Sequence, residues 1–210
     1  MTDDETIRAF VAVWPSPEIV SLLGSALSEF KKRLPGYRWV EPQNLHITLE
    51  FLGNVPRRGL PPITGVLDDI ASKVAPFELA LGGPGTFGPR EKARVLWVEV
   101  SDPEGKLSHL AGAVVDGLKA LGFSPDKDFV AHLTLARKRA GSGGFVSSAG
   151  WQSLWNEKLK NLVKPTCRTG EMGEEATWVV SSLTLVKSTL TPAGSLYDIV
   201  HESRFAPVVR

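Results

Sequence analysis

Hydrophobic and polar positions alternate in a series of short runs that predict strands and helices in turn. Residues 8–14 (RAFVAVW) are a compact run of β-formers stopped by Pro15 and Pro17. The period then changes: Ile19, Leu22, Leu23, Ala26, Leu27 and Phe30 recur at helical spacing between Glu18 and Leu34, so a strand and then a helix open the chain. Pro35 and Gly36 end that helix, residues 37–40 predict a short strand, and the next strand, in residues 44–53 (NLHITLEFLG), is stopped by Gly53 and Asn54. A second helix is expected over 60–74 with Ile63, Val66, Leu67 and Ile70 inward, leaving Asp68 and Asp69 on a solvated face. Strands are predicted over 77–81 and 94–100, and a third helix over 107–121 closed by Gly122. A strand in residues 131–137 (AHLTLAR) follows, then helical spacing of Trp151, Leu154, Trp155, Leu159 and Leu162, which reads as core packing. Two strands over 179–185 and 196–201, joined through Thr191, Pro192, Ala193 and Gly194, close the chain.

Two of these strands carry the same pattern. His46-Ile47-Thr48-Leu49 and His132-Leu133-Thr134-Leu135 both read His-aliphatic-Thr-Leu. Alternate side chains of a strand point to opposite faces, so each His shares a face with its Thr while the aliphatic pair anchors the strand to a core. A duplicated motif among strands interleaved with helices predicts an α+β protein of two pseudo-symmetric lobes, with both motifs in the cleft between them.

Composition narrows the chemistry. With 24 basic and 23 acidic residues the net charge is only +1, so the long basic footprint of a duplex-coating protein is missing, while a short phosphate-bearing ligand fits. The single cysteine, Cys167, has no internal disulfide partner, which fits a reducing compartment and rules out a cysteine-built zinc cage; it reads as a buried or incidental thiol. The acidic start MTDDETIRAF and the lack of a long apolar run suggest a soluble, cytoplasmic protein without a membrane span. Gly83, Gly85 and Gly88 match the spacing of a dinucleotide fingerprint, but a strand instead of a helix follows, so a plain loop is expected there. The GSGG run of Gly141–Gly144 predicts a mobile loop, His109 and His201 receive no role, and residues 164–177 fit no element.

Two imidazoles with ordinary pKa values near ~6.5 supply at neutral pH one base and one acid, which is what displacement at phosphorus asks for. The Thr48 and Thr134 hydroxyls are then placed to donate to phosphate oxygens, and Arg137, three residues beyond Thr134, is the charge partner for the same phosphate. Phe10, on the first strand, is a candidate contact for a base, with core packing as the reading that its place in an apolar run favours. No third ligand with motif-like spacing joins the histidines, so no metal or other cofactor is expected, and no G-x-S-x-G elbow is present.

At these residues the chain resembles the 2H phosphoesterase superfamily, and within it the bacterial and archaeal RNA 2′,3′-cyclic phosphodiesterases, also called 2′-5′ RNA ligases. The resemblance extends over RAFVAVW, WVEPQNLHITLEFLG, RVLWVEV, FVAHLTLAR and SLTLVKSTLTPAGSLYDIV. It implies one bilobal domain over residues 1–210, each lobe a mainly antiparallel sheet with helices outside, and metal-free hydrolysis of RNA 2′,3′-cyclic phosphate ends to 2′-phosphomonoesters. Carried over, His46 and His132 become the acid–base pair, Thr48 and Thr134 the phosphate donors, and Arg137 a basic position met after the second motif. The family order makes His46 the acid and His132 the base, an order that pseudo-symmetry leaves open in the sequence itself. The chain departs from the pattern at Ala131, where relatives commonly have proline, and in a longer segment at about 141–177. The expected partner is an RNA end or oligonucleotide bound by a monomer. Alternatives are a 2H enzyme for another phosphodiester, such as a 2′-5′ linkage or small cyclic nucleotide, and a non-catalytic RNA-end binder.

Overall fold

Sixteen residues into the chain, Ser16 caps a helix: its hydroxyl accepts from the Ile19 amide, Pro17 takes the first turn, and Lys31, Lys32 and Arg33 face the negative C-terminal end. This helix, α1 (Pro17–Arg33), follows strand β1 (Thr6–Val13) as the apolar period required. The computed structural model describes residues 5–125, 128–159, 176–192 and 194–207. After α1 come β2 (Tyr37–Trp39), β3 (Ile47–Pro56), α2 (Leu60–Ala71), β4 (Phe77–Phe87), β5 (Val95–Ser101), α3 (Lys106–Lys119), β6 (His132–Lys138) and α4 (Ser148–Leu159). Strands β7 (Thr177–Val180), β8 (Ser182–Thr191) and β9 (Gly194–Arg204) complete the order.

The strands form two antiparallel sheets, one ordered β3-β1-β8-β9 and the other β2-β6-β5-β4-β7. The architecture is the expected α+β, with two sheets and their helices. The lobes are not successive halves of the chain, however: each sheet takes strands from both ends of the sequence. Helices α2 and α3 pack together behind the first sheet, and α1 and α4 lie behind the second. Trp151 and Trp155 of α4 are fully buried against Phe30, with Trp151 edge-on to it at 5.0 Å, so this pair is core, as its spacing implied.

Three expectations are corrected. The run 179–185 is two strands in different sheets: residues up to Val180 pair with β4, and from Ser182 the chain pairs with β1 and β9. Ser181 and Ser182, which stand at the junction, are too slight a break to mark such a change of partner. Gly83 and Gly85 form no loop, because β4 runs through them to Phe87, and only Gly88 lies beyond it, in the turn toward β5; a side chain at Gly85 would drive its Cβ into the Trp97 ring, so glycine there makes room for an indole. The GSGG segment is tied down as well. Lys138 Nζ donates to the Gly143 and Gly144 carbonyls at 2.7 Å each, and Ser142 Oγ donates to the Gly36 carbonyl at 2.9 Å.

Asp68 and Asp69 are exposed, as expected, and Asp68 in addition holds α2 to β9: its Oδ1 accepts from Ser203 Oγ and meets His201 Nε2, each at 2.7 Å. His109 is exposed. Leu162 and Cys167 lie outside the described residues.

Candidate active site

β3 of one sheet lies against β6 of the other, which brings the two motif strands together although they are far apart in sequence. Ile47, Leu49, Leu133 and Leu135 are buried in the core, while His46, Thr48, His132 and Thr134 are half-buried on the opposite, open side. The period-2 reading of the motif therefore holds on both strands.

The two histidines are fixed in the same way. His46 Nδ1 donates to the Asn44 carbonyl and His132 Nδ1 to the Val130 carbonyl, both at 2.7 Å and both two residues back along the chain. A carbonyl can only accept, so the proton of each neutral ring sits on Nδ1 and each Nε2 carries a lone pair. Aromatic rings fix the ring planes. Around His46 stand Phe10 at 4.8 Å, Tyr197 at 5.1 Å and Trp14 at 5.6 Å between centroids. Around His132 stand Phe87 at 5.0 Å and Trp97 at 5.7 Å. Trp14 is itself held by donating from Nε1 to Thr184 Oγ1 at 2.7 Å.

This apolar lining makes the charged form of each ring costly. Burial pushes His46 down from 6.5 to about 4, against the pull of the Asn44 carbonyl, with the positive Arg137 and His132 lowering it further. Burial also lowers His132, against the Val130 carbonyl, and Arg137 adds to the effect. Arg137 thus acts on both imidazoles from one position.

A β-bulge puts Arg137 there. In strict alternation Arg137 would face away from His132 and Thr134. Opposite β5, however, Trp97 pairs with Thr134, Leu96 with Ala136 and Val95 with Arg137, so Leu135 is the extra residue. Beyond it the side chains change face, and Arg137 joins His132 and Thr134. β3 repeats the device. Ala12 pairs with Thr48 and Phe10 with Phe51, leaving Leu49 as the extra residue, so Phe51 shares the face of Thr48 and is 60% exposed. Phe51 stands at the same offset from its Thr as Arg137 does, a correspondence visible in the duplicated motif once it is extended by three residues.

The hydroxyls of Thr48 and Thr134 make no hydrogen bond to the described residues, nor does the Arg137 guanidinium make an ion pair with them. These groups face the cleft with their donors unspent. Among the described residues no three His, Cys, Asp or Glu side chains gather into a metal-ligating group. Phe10, a candidate base contact whose apolar run favours core packing, is 2% exposed and lies under His46 because it sits on the central strand β1 between β3 and β8, so its ring meets imidazole instead of solvent. Sequence reasoning missed Trp14, Phe87, Trp97 and Tyr197, which brace the histidines from other strands; only sheet register places them.

The model of the family described as LigT like Phosphoesterase matches residues 13–97 and again 98–197, one match for each motif. A protein of Aquifex aeolicus named RNA 2′,3′-cyclic phosphodiesterase is 32% identical over 94% of this chain and 97% of its own. One of the same name from Archaeoglobus fulgidus is 35% identical over 91% of this chain and 96% of its own. Among solved structures, a Thermus thermophilus protein superposes with a TM-score of 0.75 at 25% identity, covering 97% of this chain and all of its own. LigT of Escherichia coli shares the fold, with a TM-score of 0.67 at 20% identity over 96% of this chain and 99% of its own.

Proposed function

The chain belongs to the LigT-like phosphoesterases, and from that premise we infer that it hydrolyses the 2′,3′-cyclic phosphate ends of RNA to 2′-phosphomonoesters with its two histidines as acid and base. The observation that carries this is the matched presentation of the imidazoles: each Nδ1 is spent on a backbone carbonyl, and each Nε2 is left for the cleft that Arg137 also faces. The relatives named RNA 2′,3′-cyclic phosphodiesterase, matched over nearly their full length, support the substrate class.

In this reading the cyclic phosphate sits between the motif strands, its non-bridging oxygens taking hydrogen bonds from Thr48 and Thr134 and charge from Arg137. One Nε2 removes a proton from the attacking water. The other, as Nε2–H, delivers a proton to the departing 3′-oxygen, so the P–O3′ bond breaks as the new P–O bond forms and the 2′-ester remains. In the family's order His46 is the donor and His132 the acceptor. The two roles each contribute roughly 10²- to 10⁴-fold, together about 5 to 11 kcal/mol of barrier. Phe10 holds the His46 ring in plane.

Residues 1–210 act as one bilobal, monomeric unit of the cytosol in this reading, with 141–177 as its variable segment; no described helix is long and apolar enough to cross a membrane. The test is turnover of a cyclic-phosphate oligonucleotide in chelator, with the product's phosphate position determined. His46→Ala and His132→Ala should each lose roughly 10²- to 10⁴-fold in kcat. Full activity in either variant removes the acid–base assignment, and a 3′-phosphate product removes the reaction.

A further inference from the structure

Directly across the sheet from Arg137 stands a second arginine. Arg38 of β2 is the register partner of Arg137 of β6. Cross-strand partners share a face with Cβ atoms ~5 Å apart, and two like charges placed so are destabilising unless something between them is negative. Tyr37 and Trp39, the neighbours of Arg38, are buried on the core side, which confirms that Arg38 points with Arg137 into the open. Arg38 also reaches across the cleft mouth, its Nη2 lying 3.5 Å from the Pro192 carbonyl in the β8–β9 hairpin of the other sheet.

A polar pocket of about 260 Å³ opens at this place, lined by Lys31, Arg38, Trp39, Glu41, Arg139 and Pro192. The only acid on its wall, Glu41, is met by Lys31 at 3.9 Å. Arg38 and Arg139 have no carboxylate partner among the described residues. The positive groups therefore form a row along the open face: Arg137 stands on β6 beyond His132 and Thr134, Arg38 lies one strand spacing across from it on β2, and Arg139, just past the end of β6, shares the pocket with Arg38.

We propose that Arg38, backed by Arg139, binds the phosphate on the 5′ side of the terminal nucleoside while Arg137 binds the cyclic phosphate. The assignment rests on the phosphodiesterase reading above and adds a substrate preference to it: a terminal nucleoside carrying a 5′-phosphate, as every RNA end longer than one nucleotide does, is favoured over a bare cyclic mononucleotide. A pocket of this polarity at the mouth of the cleft suits a solvated phosphodiester, and planar guanidinium groups grip phosphate oxygens two at a time.

The test compares adenosine 2′,3′-cyclic phosphate with and without a 5′-phosphate as substrates for the wild type, Arg38→Gln and Arg38→Lys. The 5′-phosphate should raise kcat/KM in the wild type, and Arg38→Gln should reduce that advantage by roughly 10-fold or more, the usual size of one charge-assisted hydrogen bond. Arg38→Lys should keep part of it. A proportional fall on both substrates, or no change in their ratio, overturns the proposal. Equilibrium binding of adenosine 2′,5′-bisphosphate against adenosine 2′-phosphate makes the same comparison without turnover. Absence of hydrolysis by the wild type would therefore sink the phosphodiesterase reading alone, while the binding ratio still decides for or against Arg38.

Discussion

Lowering the pH should destabilise this protein through His46, and the size of the effect follows from where its ring lies. In the folded chain burial holds the imidazole at about 4, against 6.5 for an ordinary histidine. The unfolded chain therefore binds a proton between those values that the folded chain refuses, and stability must fall as the pH falls through that window. The contribution is intact above about 6.5 and shrinks by roughly 1.4 kcal/mol per pH unit below it. At pH 4.5 the loss from His46 alone comes to about 2 kcal/mol. The comparison variant is His46→Asn, whose amide can still donate to the Asn44 carbonyl but has no proton to gain. Urea unfolding at pH 7 and pH 4.5 should show the wild type losing about 2 kcal/mol more than the variant over that interval. Equal losses in the two proteins would refute the claim that the ring is held neutral by its surroundings. The same displacement bears on catalysis, because the acid of the pair must hold a proton. A bound phosphate, being negative, offsets Arg137 and raises the imidazoles, so the kcat profile should lie at higher pH than the kcat/KM profile, which reports the free enzyme.

Two further outcomes follow from the supports of the site. Gly85→Ala drives a Cβ into the Trp97 indole, which itself abuts His132, so it should cost about 1–3 kcal/mol in urea unfolding and lower kcat at the same time; an unchanged kcat would show that Trp97 does not position the ring. Asp68 is held below the usual carboxylate range by the Ser203 hydroxyl and then by His201, so the tether of α2 to β9 stabilises above about pH 4 and is lost as the pH falls through the lowered value. Asp68→Asn should accordingly lower the urea midpoint at pH 7, and the gap from wild type should close below pH 4; a constant gap would remove the carboxylate from the explanation.

Much of the fold was legible because local periodicity reports which face of an element is buried. Ile19, Leu23, Leu27 and Phe30 line the inner side of α1, and the aliphatic residues of both motifs are core, as their spacing required. What local patterns do not encode is which strand pairs with which. Val180 and Leu183 are only three residues apart, yet they belong to different sheets, because the partner of each is set by register with β4 or β9 far away. The same holds for the braces of the site: Trp14, Phe87, Trp97 and Tyr197 reach the histidines only through pairings that span the chain. Lys138 shows the other kind of failure. The glycine run after it predicts a mobile loop, but the Lys138 ammonium carries three donors, and the Gly36, Gly143 and Gly144 carbonyls take them.

The bulges matter most, because they decide what the duplicated motif is for. A regular strand would place His, Thr and the residue two further on along one face, giving Glu50 on β3 and Ala136 on β6. Instead one extra leucine after each Thr brings in Phe51 and Arg137, and the buried Glu50 and Ala136 stay with the core. Up to the Thr the two motifs present the same groups in the same order, which suits a reaction that needs one proton taken and one given. Beyond it they diverge: one sheet continues into a cation and a second arginine across the ladder, the other into an exposed aromatic ring. Symmetry thus serves the proton transfers, and the break in symmetry fixes which side of the cleft attracts charge, so exchanging the two residues by Phe51→Arg together with Arg137→Phe should cost far more activity than the unchanged composition and net charge of the cleft suggest.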